Sequence, residues 1–155
     1  MINRIKELFS PSAIVKPGAG HADVALNAAA LLVVAALQDV SFGAEERAHI
    51  ETLIARRFGL DPDETRELIA EAEVRVVESA QILPFTRAIK DHFSHESRIE
   101  MVEMLWEVVY ADGVLHDHEA ALMRRIGGLI YVSDRERGEA RKRALSKLKI
   151  AAKPA

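Results

Sequence analysis

Residues 29–46 read AALLVVAALQDVSFGAEE, and residues 102–119 read VEMLWEVVYADGVLHDHE. Each stretch is an apolar run that ends in an aspartate, and a glutamate follows seven residues later. The two acidic pairs are Asp39 with Glu46 and Asp112 with Glu119. Apolar positions recur beyond them at the same offset, pairing Ile50 with Met123, Leu53 with Ile126 and Phe58 with Tyr131. This repetition predicts two copies of one helix-loop-helix unit, related by a pseudo-two-fold axis, with an acidic loop in each copy.

The composition is typical of an all-α protein of one domain. The chain has 155 residues, of which 49% are hydrophobic and only 5% aromatic, and it is rich in the helix formers Ala, Leu, Glu and Arg. Apolar periodicity and capping residues predict a bundle of about seven or eight helices without a strand. The 155 residues include no cysteine, which excludes disulfides, thiolate metal ligands and thiol redox chemistry.

Capping residues and helix breakers place the predicted helices along the chain. They are expected over about residues 21–38, 44–58, 62–80, 84–93, from the Ser94 cap onward, 117–130, and from the Ser133 cap to about 150. Asp61, Pro62 and Glu64 have the spacing of a capping box with proline at the first helical position. Gly59 is placed to end the preceding helix. The apolar stripe of the helix that begins at Pro62 is expected to include Val77.

The chain divides into three regions: residues 1–20 as an N-terminal helix and linker, residues 21–150 as the helical domain, and residues 151–155 as a tail. One face of the N-terminal helix carries the apolar residues Ile2, Ile5, Leu8 and Phe9. This face is suited to docking on the core, or to binding a membrane surface or a partner. No signal peptide precedes the domain, and the uncharged run 24–37 is shorter than the roughly 20 residues that cross a bilayer. The expected location is the cytoplasm.

The acidic loops support two interpretations. The glutamates, Glu46 and Glu119, lie where a side chain can bond the first free amide of the following helix, so capping alone explains them. The aspartates, Asp39 and Asp112, lie near the negative ends of apolar helices, so a compensating interaction is expected. A turn at Asp112–Gly113, in which the carboxylate accepts a hydrogen bond from a following backbone amide, would supply it, and so would a bound divalent cation. A complete EF-hand is excluded because apolar and aromatic residues occupy its leading ligand positions.

Two histidine-containing clusters are weaker candidates for a metal site. One is the HDHE sequence of residues 116–119, and the other comprises His92, His95 and Glu96. HDHE lacks the four-residue repeat that places two ligands on one face of a helix. The second cluster is divided by the loop predicted before the helix that Ser94 caps. No arrangement of nucleophile and base is identifiable, and Gly127–Gly128 lies within a helical pattern that favours close helix packing rather than phosphate binding.

The positive charge of the chain is concentrated near its C-terminus. Residues 134–153 contain eight Lys or Arg against three acids, whereas the whole chain has a net charge of −3. A solvated helix face explains this, as does a binding surface for an acidic protein, an anionic lipid or nucleic acid. The segment contains no aromatic residue, which argues against the stacking of single-stranded bases.

The second unit, residues 94–136, resembles the hallmark segment of TerB-like tellurite-resistance proteins, in which a helix ends in Ala-Asp-Gly and a glutamate follows. The first unit has Gln-Asp-Val at that place and resembles a degenerate first copy, so the likeness covers about residues 22–145. It implies an all-helical, pseudo-symmetric bundle that binds metal through acidic loop residues and works with membrane and calcium-binding tellurite-resistance proteins. The residues that carry over are Asp39, Glu46, Asp112, Gly113 and Glu119.

These features together predict a non-enzymatic, cytoplasmic interaction module of a tellurite-resistance or stress-response system. Its expected partners are proteins, including a membrane-bound tellurite-resistance component that would hold it at the inner membrane surface. Its expected cofactor is a divalent metal at Asp39, Glu46, Asp112 and Glu119. Two alternatives are a carboxylate-based metal hydrolase that uses the same acids, and a binder of nucleic acid or another anionic partner through the basic C-terminal helix.

Overall fold

Seven helices account for most of the residues that the structure describes. A computed structural model describes residues 21–37, 43–79, 81–111 and 115–148, and no strand occurs in these ranges. The helices are α1 (His21–Ala36), α2 (Ala44–Phe58), α3 (Pro62–Glu78), α4 (Leu83–His92), α5 (His95–Val109), α6 (Asp117–Leu129) and α7 (Asp134–Lys147). The predicted all-α class is confirmed. The predicted N-terminal helix and the tail lie outside the described residues, so the division into three regions stays a prediction.

Helix boundaries follow the local capping chemistry closely. At the start of α3, Asp61 accepts a hydrogen bond from the Glu64 amide at 2.8 Å, and Glu64 accepts one from the Asp61 amide at 3.0 Å. Ser94 and Ser133 cap α5 and α7 through their hydroxyl groups. Gly59 ends α2 in the left-handed conformation, with φ of 65°, which glycine adopts without steric cost.

Helix α1 is the centre of the bundle. Every residue from Ala28 to Ala36 is at most 8% exposed, and α1 packs against α2, α3, α4 and α5. A helix that is apolar on all sides must be surrounded by other elements, and its alanines allow those neighbours to approach closely. The apolar stretch that opens the first repeat therefore forms the inside of the core.

Helix α5 is the second internal helix, and it organises the other half of the bundle. All residues from Met101 to Tyr110 are buried, and α5 packs mainly against α7, with further contacts to α1, α6 and α2. The Trp106 indole N–H donates to the carbonyl oxygen of Arg137 at 3.2 Å, which fixes α7 on this helix. The basic C-terminal helix thus belongs to the core.

Two side chains depart from the predicted apolar pattern. Val77 is 81% exposed, so the stripe of α3 ends about one turn earlier than the sequence predicted. Tyr131 is 67% exposed, whereas Phe58, its counterpart in the repeat, is buried. Tyr131 has φ of 59°, because the chain turns at this residue to bury Ile130 and Val132 instead. The other two hydrophobic pairs are buried in both copies, and the pseudo-two-fold relation stays a prediction.

Gly127 confirms part of the packing predicted for the glycine pair. A β-carbon at Gly127 would lie 3.3 Å from Cδ of Arg137, whereas one at Gly128 would meet nothing within 4 Å. The lack of a side chain at Gly127 therefore lets Arg137 pack closely against the helix. The position of Gly128 has room for a side chain. None of the described helices is long and apolar enough to cross a membrane.

Candidate functional site

The predicted acidic site is only partly within the described residues. Asp39, Asp112 and Gly113 fall in the two loops outside the described ranges, so the convergence of the four carboxylates stays a prediction. Glu46 and Glu119 are described, in the first turns of α2 and α6.

Both glutamates make the capping contact that the simpler interpretation predicted. Oε2 of Glu46 accepts a hydrogen bond from the Gly43 amide at 3.1 Å. Oε1 of Glu119 accepts one from the His116 amide at 3.0 Å, and Glu119 is only 3% exposed. Capping thus accounts for the position of both carboxylates.

The HDHE sequence brings two imidazole rings together at the second acidic loop. The rings of His116 and His118 are stacked, with their centroids 5.6 Å apart and their planes at 7°. Across the described ranges, no three His, Asp or Glu side chains are grouped closely enough to hold a metal ion. Any metal at this loop would therefore depend on Asp112.

The other predicted histidine cluster is divided between different contacts. Nε2 of His95 lies 2.5 Å from Oε2 of Glu136 on α7, and its Nδ1 lies 3.2 Å from a guanidinium nitrogen of Arg98. A hydrogen bond from a backbone amide at the start of α7, together with the contact to His95, lowers the pKa of Glu136 to about 2. His95 therefore joins α5 to α7, and its contacts with Glu136 and Arg98 account for the position of the imidazole without a metal.

A charged groove runs between α2, α5 and the end of α7, and it brings ionisable side chains of three helices together. Its cavity has a volume of about 280 Å³. The lining residues are Leu53, Arg56, Arg57, Glu100, Glu103, Met104, Glu107 and Lys147. Three carboxylates from one face of α5 thus lie opposite cations from two other helices.

Glu103 is the best-paired carboxylate of the groove. Its Oε1 accepts a hydrogen bond from Nε of Arg143 at 2.6 Å, and its Oε2 forms an ion pair with Lys147. Burial alone would raise the pKa of Glu103, but the two cations outweigh burial and lower it. The carboxylate is thus held ionised, and it attaches the end of α7 to α5.

Glu107 lies one helical turn further along α5, in the opposite electrostatic situation. It is 4% exposed, its Oε2 makes no hydrogen bond, and Nζ of Lys147 is 4.0 Å away. Burial raises the pKa of this carboxyl, although Lys147 and Arg56 oppose the shift. A buried, poorly paired carboxylate costs free energy. The burial of Glu107 therefore lowers the free energy of unfolding.

The basic residues of α7 are largely engaged within the molecule. Arg143 and Lys147 pair with Glu103, and Arg137 pairs with Asp134 at 2.8 Å. Nε of Arg141 donates to the Tyr110 hydroxyl at 2.8 Å, and its guanidinium lies over the Trp106 ring. Two of these cations, Arg143 and Lys147, therefore compensate an acid of α5.

The sequence contained a pattern that could have revealed this groove. Glu100, Glu103 and Glu107 are spaced as neighbours on one helix face, and Arg143 and Lys147 are spaced by one turn on another helix. Two stripes of opposite charge on helices predicted to be neighbours indicate an interhelical contact. The basic residues of α7 stand out in the sequence as an excess of positive charge. The glutamates of α5 do not, because they are interspersed among apolar residues.

Comparison with known proteins gives one match. The family model described as tellurite resistance protein TerB matches residues 25–142, which include all seven helices except the first residues of α1 and the end of α7. No curated protein and no solved structure matches the chain.

Proposed function

The chain belongs to the TerB family of tellurite-resistance proteins, and from this premise we propose that it is a non-enzymatic module that acts by binding. The match over residues 25–142 is the observation that carries the proposal. The module would help to assemble a stress-response complex at the cytoplasmic face of the inner membrane, with protein partners that include a membrane-bound component.

Chemistry favours binding over direct detoxification. Reduction of a tellurium oxyanion requires an electron donor such as a thiol, and the 155 residues contain no cysteine. A divalent cation at the acidic loops would give the module a regulated binding surface. The proposed ligands are Asp39, Glu46, Asp112 and Glu119, because carboxylate oxygens are the preferred ligands of hard cations.

The described half of the proposed metal site is compatible with this function. Glu119 is buried at the start of α6, close in sequence to the stacked pair of histidines, and its capping bond holds the carboxylate at the loop. Ligands that are fixed in advance lose less conformational entropy when a cation binds.

A melting scan against calcium, magnesium, manganese and zinc tests the metal proposal. A cation at a hundred times its dissociation constant stabilises a one-site protein by about 2.7 kcal/mol. For a domain of this size each kcal/mol raises Tm by roughly 2–4 °C, so we expect a rise of several degrees. Asp112→Asn should abolish the rise without lowering the metal-free Tm, since it removes one of several crowded charges.

The capping interpretation predicts a different pattern in the same scan. There, no cation changes Tm, and Glu119→Ala costs about 1 kcal/mol with or without metal because a helix-capping contact is lost. A flat response of the wild-type protein to all four ions would refute the metal site.

Partner binding requires a variant that leaves the fold intact. Deletion of residues 134–155 is unsuitable because Ala140, Ala144 and Leu145 of α7 are buried in the core. Lys142 is exposed on α7, so we expect Lys142→Glu to reduce recovery of an acidic partner in pull-downs from cytosol and membranes. Arg124→Glu, a charge reversal at an exposed position of α6, is the matched control. Equal recovery with both variants would exclude the basic face of α7.

A further inference from the structure

An apolar groove lies where α1 and α3 end and α4 begins. Its cavity has a volume of about 200 Å³. The lining residues are Val34, Leu37, Val76, Ser79, Gln81, Ile82 and Phe85. None of these lining residues is charged, so a segment that fills the groove would bind mainly by burial of apolar surface.

One of the lining residues is a large apolar side chain that is well exposed: Leu37, at the end of α1, is 45% exposed. Val74 and Val77 are exposed as well, but they lie on other faces of α3 than the groove residue Val76. The groove therefore offers apolar surface around Leu37 that a further segment can bury.

The N-terminal segment has the pattern that fits this surface. We propose that residues 2–9 form an amphipathic helix whose apolar face, Ile2, Ile5, Leu8 and Phe9, covers the groove between α1, α3 and α4. On a helix, Arg4 and Lys6 flank this stripe on its two sides.

The connecting chain is long enough for this contact. From His21 to Leu37 the path along α1 is about 24 Å, at 1.5 Å per helical residue. Residues 10–20, if extended, span up to about 36 Å. Because α1 is enclosed by other helices, the linker would pass over the outside of the bundle, and its span exceeds the length of α1 by enough for residues 2–9 to reach the groove.

Engineered cysteines provide a direct test, because the natural sequence contains none. In the full-length chain, the pair Ile5→Cys and Leu37→Cys should form an intramolecular disulfide under mild oxidation, since both positions lie on the facing apolar surfaces. The control pair is Asn3→Cys and Leu37→Cys, in which the first cysteine lies on the opposite helix face. Non-reducing electrophoresis and peptide mapping measure the fraction of cross-linked monomer.

Selective cross-linking of the Ile5→Cys pair supports the proposal. Equal rates for the two pairs would indicate undirected collisions of a tether and would overturn it. Cross-linked dimers in place of monomers would assign the groove to a second copy of the chain, which also overturns it.

Limited proteolysis gives an independent measure that needs no cysteine. Trypsin cleaves after Arg4 and Lys6, and a docked helix is cleaved only when it dissociates. Leu37→Asp should accelerate these cleavages at least about tenfold by releasing the segment, whereas Leu37→Met should leave the rate unchanged. Far-UV circular dichroism confirms that both variants are folded. If Leu37→Asp is folded and is cleaved at the wild-type rate, the segment does not occupy the groove.

Discussion

Replacing Glu103 and Glu107 separately by glutamine should change stability in opposite directions, although the two residues lie one turn apart on the same helix. Glutamine keeps the shape of the side chain and removes its charge. Glu103 contacts two cations, whereas Oε2 of Glu107 has no hydrogen-bond partner and its nearest cation is 4.0 Å away. The pair therefore compares a satisfied and an unsatisfied carboxylate in nearly the same surroundings.

Glu103→Gln should destabilise the protein at pH 7. A hydrogen bond to a charged group contributes about 1.5–3 kcal/mol when both partners are well shielded. The side chains of Arg143 and Lys147 are 47% and 50% exposed, so water replaces much of the lost interaction. We expect a net loss of about 1–2 kcal/mol, which lowers Tm by roughly 2–8 °C.

Glu107→Gln should raise stability at pH 7, by up to about 1 kcal/mol, because it removes a charge whose burial is poorly compensated. Thermal melts of the wild type and both variants, followed by circular dichroism at pH 7, measure the difference. Lys147 contacts both carboxylates, so the double variant is expected to depart from additivity.

The pH dependence separates the two carboxyls further. The pKa of Glu107 is raised above the ordinary 4.5, so its protonation favours the folded state, and that contribution is lost as the pH rises through the folded pKa. The pKa of Glu103 is lowered, so its contribution is present above 4.5 and is lost as the pH falls through the folded pKa. As the pH falls from 7 toward 4.5, the effect of Glu107→Gln should diminish, whereas the deficit of Glu103→Gln should remain and should diminish only below pH 4.5. Equal effects of the two substitutions at pH 7, or an effect of Glu107→Gln that is the same at pH 4 and pH 7, would refute the reasoning.

Three further predictions concern single positions. Because the folded pKa of Glu136 is lowered to about 2, the stability that Glu136 contributes should be present above pH 4.5 and lost as the pH falls toward 2; His95→Ala should raise that pKa, as measured by NMR titration of the carboxyl. Gly59→Ala should cost about 1 kcal/mol in a thermal melt, since nothing crowds the new methyl group and only the positive φ opposes it. Gly128→Ala, at an open helical position, should stabilise by about 0.5–1 kcal/mol, and Gly127→Ala should gain less because its β-carbon would press on Arg137.

The sequence by itself determined the helices and most of their limits. Pro62 with its capping box, Gly59 and the serine caps act within one or two turns of the chain, so their effect is legible without the rest of the molecule. The family was identifiable for a related reason: the segment that ends in Ala-Asp-Gly is a local pattern, and the match over residues 25–142 confirms it.

The placement of side chains between helices was decided only by the tertiary structure. Val77 continues the apolar stripe of α3 in sequence, but its side chain is 81% exposed. Periodicity alone therefore predicted a burial that the packing of the helices does not provide. The positive charge of α7 suggested an external partner, yet Arg143 and Lys147 pair with a buried glutamate about forty residues away in the sequence. Spacing along the chain specifies which residues share one face of a helix. Which other helix packs against that face depends on how the helices pack around α1 and α5. The satisfied Glu103 and the unsatisfied Glu107 differ for that reason, since each lies at a different distance from the end of α7.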